Sequence, residues 1–217
     1  MSSTFTMLPS VLAFGLCLFL GTHPSFAQEP IRLFDGTSFR GWEGDTTKTF
    51  RIEEGAITAG SLSVMVPRNE FLCTEKEYEN FELTLKYKLE GTEGFVNGGV
   101  QIRSSRIANH HEMIGYQADI GAGFDGALYD ESRRKKVLAA PEKAFLQSVL
   151  KPNDWNDYRI VCEGDRIQLF LNGKNTVDYT EKEPGIAKKG LIGLQIHGNG
   201  KAIIRFKDIV LKELPAK

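Results

Sequence analysis

A chain of 217 residues, 41% hydrophobic and 25% charged, has the length and composition of one sizeable globular domain. Its net charge of -1 is spread without blocks, which argues against a basic nucleic-acid surface and against a polybasic membrane segment. The partners to look for are therefore small molecules; oligomeric state leaves no mark in the sequence.

Residues 1–27 contain no Lys, Arg, Asp or Glu, and residues 11–20 form an apolar run too short to span a bilayer. With Ser25-Phe26-Ala27 as a small-x-small cleavage pattern, this stretch reads as a signal peptide lacking the usual positive n-region, and the mature domain is expected over 28–217. Cys17 lacks the small preceding residue of a lipoprotein signal, so a soluble extracytoplasmic protein, periplasmic or secreted, is expected, without membrane attachment after cleavage. Cys73 and Cys162 then remain; an oxidising compartment permits a disulfide between them, although Cys162 sits in an apolar strand pattern and reads rather as a small core residue.

Residues 30–36 read as a short strand entering a turn, with Trp42 behind it as an aromatic anchor, and residues 50–59 as two strands about Glu54-Gly55. The cleanest alternation follows: Phe81, Leu83, Leu85, Tyr87 and Leu89 alternate with Glu82, Thr84, Lys86, Lys88 and Glu90, one face for the core and one for water. Residues 98–104 place Val100 and Ile102 opposite Gln101 and Arg103. Residues 145–150 read as a short helix or an irregular connector, and 154–174 as a hairpin turning at Gly164-Asp165 and closing on Asn172-Gly173. Two more strands lie within 190–197 and 202–211. Turn residues recur throughout and no segment sustains a 3.6-residue period, so the fold class is all-β, a sandwich or jelly roll.

The densest chemistry lies in residues 115–134, where Gln117 and Asp119 share one strand face, a glycine-rich turn follows, and Tyr129, Glu131, Arg133 and Arg134 come next. Three strands thus carry polar pairs opposite an apolar face: Gln101 with Arg103, Gln117 with Asp119, and Gln195 with His197. Amides, Arg, Asp and His make directed hydrogen bonds, so neighbouring strands of this kind would form a concave patch for a hydroxyl-rich ligand; cross-strand pairs on an exposed sheet are the other reading. Asp119 suits a general base, a metal ligand or an ion-pair partner for Arg103, and His197 suits acid/base work or a structural hydrogen bond. His110 and His111 are adjacent and would diverge on a strand, and no spacing matches a metal motif. No cofactor is expected; a divalent ion such as calcium stays open.

The entry Leu33-Phe34-Asp35-Gly36 with Trp42, the run Gly98-Gly99-Val100-Gln101-Ile102-Arg103-Ser104, the stretch 115–139, Trp155-Asn156-Asp157-Tyr158, Leu171-Asn172-Gly173 and Gly193-Leu194-Gln195-Ile196-His197 together resemble the 3-keto-disaccharide hydrolase family. The resemblance implies a concanavalin-A-like jelly-roll sandwich of two antiparallel sheets and extracytoplasmic sugar metabolism. It implies cleavage of 3-keto-glycosides by elimination and hydration or by hydrolysis; the chemistry of the side chains then assigns Asp119 or His197 as base, Arg103 with Gln117 as electrophile, and Tyr129 or Glu131 as acid. Gln101, Gln117, Tyr129, Gln195 and Arg133 would contact the substrate. Residues 117, 119 and 121 read Gln, Asp, Gly, without the alternating carboxylates of glucanases on this fold, which disfavours direct double displacement. A non-catalytic carbohydrate-binding module or lectin is the rival reading, and a structural cell-surface sandwich the third.

Overall fold

The computed structural model describes Met1 and residues 29–215, so the expected signal peptide lies outside the described residues. In chain order the elements are β1 (Ile31–Arg32), β2 (Trp42–Glu43), β3 (Phe50–Glu53), β4 (Ala56–Gly60), β5 (Glu70–Thr74), β6 (Phe81–Gly94), β7 (Asn97–Arg106) and β8 (Met113–Gly121). There follow β9 (Leu128–Glu131), β10 (Lys136–Ala139), α1 (Lys143–Val149), β11 (Asn156–Glu163), β12 (Arg166–Leu171), β13 (Lys174–Thr180), β14 (Leu191–Ile196) and β15 (Gly200–Glu213). They form two antiparallel sheets, as the alternation predicts. One runs β13-β12-β11-β6-β15-β4-β3 with β1 added on β15, the other β10-β9-β8-β7-β14-β5-β2.

The alternation of β6 becomes the inner face of the first sheet, where Phe81, Leu83, Leu85 and Tyr87 are buried and the polar residues between them are partly exposed. Facing them from the second sheet are Val100, Ile102, Tyr116, Ala118, Ile120, Leu194 and Ile196. Burying each such aliphatic side chain contributes about 1.5–3 kcal/mol relative to leaving it in water. The hairpin signals hold: β11 and β12 pair up to Glu163 and Arg166 around Gly164-Asp165, and Asn172 (φ 47°) and Gly173 (φ 77°) supply the two positive-φ positions of the turn into β13. The second sheet differs from the first in being closed to solvent on both faces through its centre: Asn97 to Ser104 of β7 and Ile192 to Ile196 of β14 are buried without interruption.

Two sequence expectations resolve differently. Cys73 and Cys162 are both free and buried; Cys162 packs in the inter-sheet core, whereas the Cys73 thiol faces outward against Met113, 3.3 Å from its sulfur, so the two do not pair. His110 and His111 fall in the loop before β8 rather than on a strand, and their rings stack at 4.5 Å instead of diverging. Among the described residues no helix is long and apolar enough to cross a membrane.

Candidate functional site

β8 sets the site. Tyr116, Ala118 and Ile120 enter the core, which turns Gln117 and Asp119 to the outer face. Opposite Asp119, β7 carries Gly99, where a Cβ would lie 2.7 Å from the Gln117 side chain. The missing side chain lets Gln117 lie across β7, where its Nε2 donates to Asp119 Oδ1 at 3.2 Å and its Oε1 accepts from Gln101 Nε2 at 2.8 Å. Ser104 Oγ in turn donates to Gln101 Oε1 at 2.7 Å. Asn97 Nδ2 donates to the same Asp119 oxygen at 3.1 Å and to Gly121 O at 3.3 Å. Asp119 is 4% exposed, and burial pushes its pKa up to about 7 against the opposing pull of the Asn97 and Gln117 hydrogen bonds, with the charge of Glu131 adding to the rise.

The glycine-rich turn brings the next strand back beside this carboxyl. Gly121, Ala122, Gly123 and Gly126 all have positive φ, Asp125 Oδ1 accepts from Gly121 N at 2.8 Å, and Gly126 N donates to Asp119 O at 3.1 Å. β9 then pairs so that Tyr129 lies opposite Gln117 and Glu131 opposite Gly115, both on the outer face. Burial, followed by the charge of Glu112, raises the Glu131 pKa, and burial followed by Glu131 raises that of Tyr129. His197, just beyond β14, is pinned by its N–H to Asn97 O at 3.0 Å. Its Nδ1 lies 2.7 Å from Gly198 O, and since a carbonyl only accepts, Nδ1 carries a proton and donates it there, leaving Nε2 as the ring nitrogen without that bond. Asn69 closes the corner, accepting from Gly198 N at 2.8 Å and donating to both Glu112 oxygens at 3.0 and 3.2 Å.

The result is a cleft of about 180 Å³ lined by Asn69, Phe95, Asn97, Gln117, Asp119, Phe124, Tyr129, Glu131 and His197. A larger hollow of about 370 Å³ between α1 and the glycine-rich turn is mainly apolar and holds no comparable set of titratable groups. The three strands with polar pairs are neighbours in the order β8-β7-β14, and five sequence candidates, Asp119, Glu131, His197, Gln117 and Tyr129, meet in one place. Gln101 lies beneath, fully buried, and acts on the cleft through Gln117. Gln195 shares the outer face opposite Gly99 and Phe71, but it is buried outside the cleft lining, and among the described residues neither end of its amide has a hydrogen-bond partner.

The two arginines go elsewhere. β7 carries an extra residue between Ile102 and Ser105, and Arg103 takes a φ of 49°, which turns its side chain off the polar face. Its guanidinium donates to Glu79 O, Gly164 O and Asn80 Oδ1 at 2.7, 2.8 and 3.1 Å, so it is spent on joining loops and does not face Asp119. Arg133 bridges to the fully buried Asp130 at 2.9 Å and lies 4.6 Å over the Tyr116 ring, on the core side of β8. Among the described residues no Arg or Lys lines the cleft. The structure adds Asn69, Asn97, Phe95 and Phe124 to the lining and Glu112 behind it. Asn97 stands one residue ahead of the Gly98-Gly99 run and Phe124 inside the glycine-rich turn, so both were within reach of sequence reasoning; Asn69 and Phe95 arrive from loops with no period. Among the described residues no three His, Cys, Asp or Glu side chains converge as metal ligands would.

Residues 29–212 match the family model described as the 3-keto-alpha-glucoside-1,2-lyase-like domain. Among solved structures, a glycosyl hydrolase-like protein from Parabacteroides distasonis is similar at 23% identity over 86% of this chain and 100% of that one, with a TM-score of 0.61. Another from the same organism is similar at 18% identity over 86% and 94% of the two chains, with a TM-score of 0.64. A carbohydrate-binding module from Bacillus subtilis is similar at 17% identity over 80% of this chain and 96% of that one, with a TM-score of 0.62. At these identities the likeness is one of fold. No curated protein matches the chain in sequence.

Proposed function

Because the chain belongs to the 3-keto-alpha-glucoside-1,2-lyase-like domain family, we propose that it cleaves the glycosidic bond of 3-keto-glycosides by elimination, with Asp119 as the base. A ketone at C3 acidifies the proton on C2. Asp119 removes that proton, the electron pair passes to the C3 oxygen as an enolate, and its return expels the glycosidic oxygen from C1, which leaves with a proton as the free sugar. Water then adds across the C1–C2 double bond of the enone and restores a 3-keto sugar.

One observation carries this reading: a carboxyl 4% exposed on the cleft floor, held by neutral amides, has its pKa pushed up to about 7. A carboxylate of ordinary acidity is a feeble base towards a C–H bond; one near 7 is stronger and still half ionised at neutral pH. The leaving oxygen needs a different group, still protonated. The Tyr129 phenol, whose pKa is raised by burial and by the charge of Glu131, suits that role, with Glu131 beside it. With Arg103 committed elsewhere, the enolate is met by the side-chain amides of the cleft lining. His197 Nε2 is the second base within the cleft. The uncharged, apolar first 27 residues support an exported protein acting on extracytoplasmic sugar.

The test incubates the protein with a 3-keto-disaccharide and with its unoxidised parent, with and without chelator. Cleavage of the keto form alone is expected, and Asp119→Asn should lower kcat about 10²–10⁴-fold while sugar binding persists. Saturable binding of either sugar without cleavage would make the protein a carbohydrate-binding module instead.

A further inference from the structure

Like Phe145 on α1 (38%), and unlike Phe34, Phe50, Phe71, Phe81 and Phe206 (at most 3%), Phe95 and Phe124 are exposed, by 37% and 36%. Both line the cleft that holds Asp119, from different loops. Their backbones are not slack. Phe95 follows Gly94 (φ 74°) in the β6–β7 hairpin and donates its N–H to Asn199 O at 2.8 Å; Phe124 donates to Gly121 O at 2.9 Å and accepts from Ala127 N at 2.9 Å. The rings stand 6.4 Å apart, tilted by 57°, and Phe95 also meets His197 edge-on at 4.6 Å. Two braced phenyl rings therefore form an apolar wall to a cleft whose remaining lining is polar, and leaving them in water forgoes the favourable burial of their surface.

A pyranose matches such a division. Its hydroxyls spread around the rim while its axial C–H bonds give an apolar face, and that face is unbroken only when the hydroxyls are equatorial. On the reading that Asp119 takes the C2 proton of the oxidised ring, that ring occupies the polar floor and the second ring projects past it. We propose that Phe95 and Phe124 are the leaving-group subsite: they stack on the C–H face of the departing sugar and select an all-equatorial, glucose-like ring there. This deepens the elimination reading and rests on it.

Phe124 is the residue to change, because Phe95 also touches His197. Wild type, Phe124→Ala and Phe124→Tyr are compared on a 3-keto-disaccharide with glucose as the departing sugar and on methyl 3-keto-glucoside, which has no second ring. In Phe124→Ala, kcat/KM for the disaccharide should fall about three- to tenfold further than for the methyl glycoside, the extra loss lying in KM, and Phe124→Tyr should recover most of it. An equal fall on both substrates, no fall on either, or a Tyr variant as poor as the Ala one overturns the subsite. If wild type cleaves neither substrate, the elimination reading fails and the subsite with it.

Discussion

At Asp119 function and stability pull against each other. The folded protein holds this carboxyl near 7, whereas the unfolded chain releases it at the ordinary value of 3.8. Between those two values the folded state binds the extra proton, so the group costs stability as pH rises through that window and costs nothing below it. The full gap corresponds to about 4 kcal/mol at one pKa unit per 1.36 kcal/mol. Asp119→Asn, which supplies a neutral side chain of the same shape, should therefore be close to wild type in denaturant unfolding near pH 4 and more stable by up to about 4 kcal/mol at pH 8, while losing turnover. Equal stability of the two proteins at pH 8 would mean that the carboxyl is not destabilised where it sits. The same group should give kcat/KM an acid limb near 7.

Among the elements, β7 governs what β8 can present. Gly99 leaves room for Gln117, and in Gly99→Ala the new methyl would meet the Cγ and Cδ of that buried side chain rather than backbone. The fold should survive with a loss of about 1–3 kcal/mol, because Gln117 must swing away from the buried Gln101 amide, and its hydrogen bond to Asp119 goes with it. Because that bond lowers the Asp119 pKa, the acid limb of the pH–rate profile should move up in Gly99→Ala; an unmoved limb would show that Gln117 does not tune the carboxyl. The same strand shows where reading the sequence succeeds and stops. Alternation alone put Gln117 and Asp119 on one face and their apolar neighbours on the other, and the Asn172-Gly173 turn was legible because only such residues accept its dihedral angles. Arg103 defeated the pattern through one inserted residue at positive φ, which no side-chain period reveals. Asn69 and Phe95 were invisible for another reason: their position comes from loop-to-loop bonds, to Gly198 and Asn199, between residues more than a hundred apart in sequence.

The whole molecule is fastened at one edge by a charged clamp between the sheets. Arg134, in the turn after β9, pairs with the fully buried Asp130 of its own sheet and donates from Nη2 to Glu181 at 2.5 Å, just past β13 of the other sheet. Tyr116 donates to the same Glu181 carboxylate at 2.5 Å. Burial alone pushes the Glu181 pKa up, but the Arg134 and Tyr116 hydrogen bonds outweigh it and hold the carboxyl well below the usual range, so its stabilisation is present above about 4.5 and fades as pH falls through and below that value. Arg134→Ala leaves Asp130 and Glu181 short of their partner and should cost about 3–5 kcal/mol, read as a lowered denaturant midpoint at pH 7; a change under about 1 kcal/mol would show the clamp to be idle. The second sheet, dry on both faces along β7 and β14, has a further bearing on the cleft it carries. Segments so enclosed open only with the global transition, so the floor under Asp119 belongs to the last part of the protein to come undone. Heat or denaturant should therefore abolish the site and the native state together.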